Sequence, residues 1–277
     1  MLTRDAVSLN GKVAIVTGGG GGCGKATSQT FAAFGAKVVV AEINAQRCKE
    51  TVEEIKKQGG DALALVTDVR EESQAKKMVE ETIKKYGRID ILVNNVGEMV
   101  GAKNGFVAST RADWEAQHAI NFGHVLYCTH AVLPHMIRQG QGGSIINATT
   151  IEAFRGYPDG PVYSAYKGAV VSFTQSIALE LGQHKIRVNA ISPETTRSLQ
   201  VDVDKWLTPE TKHLEANWIP LGRFGDPDDY AGVAVFLASD LSRWVSGSVI
   251  DLSGGARAGG GWFKRPNGKW TQRPVLS

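Results

Sequence analysis

Two tyrosines and a lysine fall within five residues in the stretch YSAYK, residues 163–167. A phenol with a pKa of about 10 is a poor acid or base at neutral pH, and a neighbouring lysine changes that. On a helix, residues four apart share a face with Cβ atoms about 5–6 Å apart. Tyr163 and Lys167 have this spacing, whereas Tyr166 adjoins the lysine in sequence and points away from it. At roughly 5 Å and an effective dielectric of about 20, an ammonium stabilises a phenolate by roughly 3 kcal/mol, or about two pKa units. Tyr163 is therefore the candidate proton donor or acceptor, with Lys167 expected to depress its pKa. A Tyr-x-x-x-Lys pair also occurs on ordinary helix surfaces, so its meaning rests on the rest of the chain.

A second group of residues points to a dinucleotide. The run TGGGGGCGKAT, residues 17–27, follows an apolar β-type segment and opens a helical one. Glycines there let the backbone approach a pyrophosphate, and a helix N-terminus attracts its charge. Five consecutive glycines fit several motif registers, so the context carries the reading. Glu42 ends the next strand-like run, 24 residues after Gly18, near the ~20 expected of a carboxylate that bonds ribose hydroxyls. The bland alternative is a charged residue leaving a strand. A carboxylate there repels a 2′-phosphate, and no basic residue directly follows it or interrupts the glycine turn before Lys25. NAD is expected over NADP.

The elements that must hold these groups alternate along the chain. Apolar, β-branched runs lie at residues 12–18, 36–42, 62–68, 90–95, 143–149, 186–192 and 247–252. Continuous apolar strands belong to parallel sheets covered on both faces. Segments between them have helical periodicity, for example residues 74–86 and 114–139. Alternating strand and helix predicts a single doubly wound α/β domain with a central, mostly parallel, seven-stranded sheet. Residues 11–255 would form its core. Residues 194–221 are too long for a simple connection and read as a substrate lid. Residues 256–277 form a tail with an expected hairpin turn at Asn267-Gly268.

Composition narrows the function classes. A net charge of +3 on 277 residues, with bases and acids interleaved, gives no nucleic-acid surface. The basic stretch at residues 264–273 reads as a docked or mobile tail. Cys23, Cys48 and Cys128, odd in number and without close pairing, suggest neither disulfides nor a zinc site. His118, His124, His130 and His135 are spaced by six, six and five residues and do not stack on one helix face, so no metal is expected. Without a membrane-length apolar run or a signal peptide, a cytoplasmic setting is expected.

TGGGGGCG, NNVG at residues 94–97, Asn121 in INFG and YSAYK occur in that order. The chain resembles the main branch of the short-chain dehydrogenase/reductase family over about residues 11–255. The resemblance implies a Rossmann-type fold and an NAD(P)-dependent enzyme acting on CH–OH groups. It further implies that Tyr163 exchanges a proton with the substrate oxygen and that Lys167 bonds the nicotinamide ribose and lowers the tyrosine pKa. Asn121 would hold a water in a relay to that lysine. Gly18, Gly20, Gly21, Gly22, Cys23 and Gly24 would line the pyrophosphate. Asp68 and Val69 would meet the adenine, and Asn94, Asn95 and Gly97 would order the neighbouring strand end and cofactor. Homodimers or homotetramers are expected on the same ground.

The departures from the family pattern are informative. Its catalytic serine, thirteen positions before the tyrosine in several members, is Thr150 here. A threonine offers the same hydroxyl with a more restricted χ1; Thr149 is the neighbouring candidate. The usual Pro-Gly after the sixth strand is Pro193-Glu194, and the carboxamide-bonding hydroxyl is Ser198, with Thr196 facing the cofactor through its backbone. Glu194 would be either solvent-exposed or a substrate contact. Cys23 would pack as a small hydrophobe. Glu152, Tyr157 and Trp206 are candidate substrate contacts beside Thr150. The apolar lid suits a bulky secondary alcohol or ketone, cyclic or steroid-like, or else simply closes against the body. Alternatives are an NADPH-dependent 3-oxoacyl-thioester reductase and a non-catalytic dinucleotide-binding sensor or scaffold.

Overall fold

The computed structural model describes residues 1–101, 105–158, 160–205, 207–260, 263–265 and 267–271. Trp206 lies outside them. Seven strands form one sheet: β1 (Val13–Thr17), β2 (Lys37–Glu42), β3 (Asp61–Val66), β4 (Ile91–Asn94), β5 (Gly143–Ala148), β6 (Ile186–Pro193) and β7 (Val249–Leu252). Their order is β3-β2-β1-β4-β5-β6-β7, and every pairing in the sheet is parallel. The expected sheet is thus present, and fully parallel. Successive residues of β1 feed opposite cores. Ala14 and Val16 pack with Phe31, Val38 and Tyr230, while Ile15 packs with Val39, Leu92 and Met136. Two buried faces explain the continuous apolar runs.

Helices α1 (Gly22–Ala33), α2 (Ala45–Lys57) and α3 (Glu72–Tyr86) follow the first three strands. Strand order reverses between β1 and β4, and the crevice at the carboxyl ends of such strands is where doubly wound sheets take ligands. The long helical segment after β4 is broken into α4 (Arg111–His118), a π-helical turn (Ala119–Gly123) and α5 (His124–Gln139). A 3.6-residue pattern does not reveal the extra residue of a π turn, which is frequent at functional sites. Helix α6 (Pro161–Leu181) starts with proline at its first position, whose fixed φ favours helix entry. Tyr163 therefore sits in the first turn and Lys167 one turn later.

Among its described residues, the segment after β6 contains short helical turns and α7 (Glu215–Trp218) before α8 (Pro227–Ala238), as its sequence suggests. In the tail, β8 (Phe263–Lys264) and β9 (Trp270–Thr271) pair antiparallel around the expected turn, with Gly268 at φ 80°. No helix among the described residues is long and apolar enough to cross a membrane.

Candidate functional site

The glycine turn joins β1 to α1 at the sheet's carboxyl edge. Gly18 and Gly22 have φ of 61° and 47°, a region that favours glycine. At Gly24 a Cβ would strike the Gly18 carbonyl and lie 2.7 Å from Asn95 Nδ2. Helix α1 is capped by Gly21, without a side chain over its first N–H groups, and such an end attracts phosphate. Ser198 and Leu199, at the start of the lid segment, lean on this turn. A Cβ at Gly22 would be 3.1 Å from that of Ser198, and one at Gly21 2.5 Å from Leu199 Cδ1. Cys23 packs against the core, and burial pushes its thiol up to about 11, as suits a packing role.

Glu42 is buried at the end of β2. Its carboxylate accepts from Gly20 N at 3.3 Å and Asn44 N at 3.0 Å. It also pairs with Arg47 Nη2 at 2.8 Å, so a basic group five residues on in sequence reaches the place where none directly follows. Asp68, just beyond β3, is gripped by both ends of the Arg70 guanidinium, at 2.9 and 2.6 Å. This pairing holds its carboxyl below the usual range. Val69 is buried in the core.

At the other end of the crevice, Tyr163, Lys167 and Thr150 converge. Lys167 is buried; its Nζ lies 5.8 Å from the Tyr163 ring centroid and donates to the Ala148 carbonyl at 3.1 Å. A Cβ at Gly97 would meet that Nζ at 2.5 Å, so a side chain there would displace the ammonium. Burial pushes Lys167 down to about 8. Burial also pushes Tyr163 up to about 12; a hydrogen bond with Thr150 lowers it, and Tyr157 and Glu152 raise it. The depression expected from the lysine does not appear; desolvation dominates, and the lowering influence is the Thr150 hydroxyl.

The two threonines divide. Thr149 Oγ1 donates to the Lys167 carbonyl at 2.8 Å and ties α6 to the end of β5. Thr150 Oγ1 is more loosely held, 3.4 Å from the Pro193 carbonyl, and turns to Tyr163. Tyr166 packs edge-on against His118, away from the pair.

Asn121 lies buried in the π turn. Its carboxamide accepts from Glu98 N at 3.1 Å and donates to Glu98 O at 2.8 Å and Gln117 Oε1 at 2.7 Å. The side chain thus ties the loop at Glu98 to Gln117 of α4, beside Gly97 and Lys167. Asn95 ties β4 to β1 through Thr17. Asn94 opens a buried polar chain to Thr129 and Asn147, and Asn147 continues to Thr174 on α6. Asn147, Thr129 and Thr174 gave no sequence signal, because polar residues on separate elements meet only in the fold.

A small open pocket beside Tyr163 is lined by Met99, Phe106, Trp114, Gln117 and Pro161, among others. The Phe106 and Trp114 rings stack at 5.6 Å. These walls also escaped the sequence reading. Tyr157 sits edge-on to Tyr163, with centroids 6.3 Å apart. Thr196 Oγ1 donates to the Glu194 carbonyl at 2.9 Å. Glu194 is not the solvent-exposed charge of one expectation: its side chain is 7% exposed and pairs with Arg155 at 3.0 Å. Glu152 pairs with the same arginine at 2.5 Å. In the segment of residues 194–221, Val203 and Ile219 anchor inward, whereas Leu199, Leu214, Trp218 and Leu221 remain exposed. Among the described residues no three His, Cys, Asp or Glu side chains cluster to hold a metal.

A family model described as enoyl-(acyl carrier protein) reductase matches residues 19–257. The 3-oxoacyl-(acyl-carrier-protein) reductase of Thermotoga maritima is 38% identical over 247 residues, 89% of this chain and 98% of its own. The 7alpha-hydroxysteroid dehydrogenase of Escherichia coli is 35% identical over 255 residues, 92% of this chain and 98% of its own. A solved 7alpha-hydroxysteroid dehydrogenase, complexed with NADH and 7-oxo glycochenodeoxycholic acid, superposes with a TM-score of 0.85. It is 34% identical and covers 92% of this chain and 98% of its own.

Proposed function

The chain belongs to the short-chain dehydrogenase/reductase family, and on that premise we propose an NAD-dependent oxidoreductase of a bulky, apolar secondary alcohol or ketone, cyclic or steroid-like. Family membership implies action on CH–OH and ketone groups with a nicotinamide dinucleotide. The observation that carries the proposal is the convergence of Thr150, Tyr163 and buried Lys167 at the sheet edge that bears the glycine turn.

The glycine turn, with no room for side chains and an uncapped α1, fits a pyrophosphate. When bound, the nicotinamide supplies or takes the hydride. Thr150 donates a hydrogen bond to the substrate oxygen and steadies the charge that develops there. Tyr163 gives or takes the proton at that oxygen. Lys167 holds positive charge beneath the phenol and reaches the ribose hydroxyls. Asn121 keeps the loop of residues 97–98 closed over Lys167, where the proton leaves toward solvent. Glu42 takes the adenosine ribose, and Ser198 closes over the turn. The exposed Leu199, Leu214, Trp218 and Leu221 and the stacked Phe106 and Trp114 support a large apolar substrate. A cytoplasmic homodimer or homotetramer belongs to the same proposal.

Arg47 favours a second reading, an NADPH-dependent 3-oxoacyl-thioester reductase, because its guanidinium lies where a 2′-phosphate would approach. Side-by-side NADH and NADPH titrations, with turnover of a steroid ketone and a 3-oxoacyl thioester, test the two. Tighter NADH binding with steroid turnover supports the first reading. Preference for NADPH with thioester turnover overturns it.

A further inference from the structure

Glu194 stands where a glycine is usual in the resemblance described above, and its buried carboxylate requires a partner. That partner is Arg155, which also takes Glu152 through two nitrogens, at 3.1 and 2.5 Å. The Arg155 guanidinium lies 5.8 Å from the Trp218 ring centroid, and the Trp218 indole N–H points to Glu194 Oε2 at 3.4 Å. Three separate segments thus meet on one side chain: the turn that carries Thr150, the end of β6, and α7 of the lid segment. Thr150 contacts the same strand end through the Pro193 carbonyl.

We propose that Arg155 is a positioning residue that ties the Thr150 turn to the lid, so that seating the lid and setting the catalytic hydroxyls are one event. This rests on the reading of Thr150 and Tyr163 given above. A planar guanidinium suits the task, since its fork holds one carboxylate while its remaining N–H reaches a second. Arg155 also neutralises Glu152, which faces Tyr163 together with Tyr157, Lys167 and Asp113 of the cavity wall.

Replacing Arg155 with Gln leaves Glu152 uncompensated near the phenol, which disfavours the phenolate. The acid limb of alcohol oxidation, which needs the deprotonated tyrosine, is then expected to move to higher pH by about one unit. KM should rise, and trypsin should cut faster at Lys205 and Lys212 of the loosened lid. Arg155→Lys keeps the cation but loses the fork, so its acid limb should stay in place while KM and cleavage rise. The double variant Glu152→Gln/Arg155→Gln should bring the limb back. An Arg155→Gln enzyme with wild-type pH profile, KM and cleavage rate overturns the proposal. Should that variant fail to fold by thermal melting, Arg155→Lys carries the test, and wild-type KM and cleavage there overturn it. The cleavage comparison needs no turnover, so a wild type inactive on every alcohol tested would sink the function above while the bridge was still read.

Discussion

Lys167 Nζ lies 5.8 Å from the Tyr163 ring centroid, one helical turn along α6, with its nearest acceptor the Ala148 carbonyl at the end of β5. The pair is therefore fixed from two sides, by the helix that spaces it and by the strand end that orients the ammonium. Lys167 is buried and Tyr163 half-buried, and desolvation moves each toward its neutral form.

Removing the phenol isolates the proton-transfer step. Tyr163→Phe is expected to lower kcat by ~10²–10⁴, the range of positioned acid–base groups. Binding of NADH, followed by fluorescence, should change less than about twofold. Full turnover by the variant would remove Tyr163 from its role.

The two threonines should separate cleanly. Thr150→Ser should keep most activity, and Thr150→Val should lose ~10²–10³ in kcat, the loss seen when an oxyanion donor is removed. Thr149→Val breaks the bond to the Lys167 carbonyl. It should cost ~1 kcal/mol of stability in denaturant titrations, with the larger change in unfolding rather than turnover. The reverse pattern would exchange their assignments.

Cofactor choice turns on Glu42 and Arg47. Glu42→Gln removes the carboxylate that repels a 2′-phosphate and frees Arg47 to meet one, so NADPH affinity should rise by ~10-fold or more. Arg47→Gln should leave NADH binding near wild type and weaken NADPH. Unchanged affinity ratios in both variants would show that this corner does not read the ribose.

Lys167 also sets a pH signature on stability. Its folded pKa of about 8 is lowered from 10.5, so between these values the unfolded chain binds more protons than the folded one. Stability from this group therefore rises with pH across about 8 to 10.5, as the cost of burying a charge disappears. The Tm difference between wild type and Lys167→Met should shift in favour of wild type over that window. Tyr163, raised to about 12, acts oppositely above pH 10, because only the unfolded chain ionises there. Comparison with Tyr163→Phe separates the two, and a flat difference curve for Lys167→Met would contradict the buried-ammonium picture.

Much of the architecture was written in local patterns. Continuous apolar runs marked all seven strands, and the glycine run and the Tyr163–Lys167 spacing pointed to the two ends of the crevice, because each depends on neighbours within a turn or a strand. What the tertiary structure decided involves residues far apart in the chain. It separated Thr149 from Thr150 by giving one hydroxyl to α6 and leaving the other to Tyr163. It split one helical pattern with a π turn that sets Asn121 against Glu98 and Gln117. It brought Arg47 to Glu42, read as a ribose contact, and Arg155 to Glu194, read as a solvent or substrate contact, giving each largely buried carboxylate a half-exposed partner. Periodicity reports which face of an element is apolar, whereas the partner of a buried charge is chosen only when separate elements pack and desolvate it.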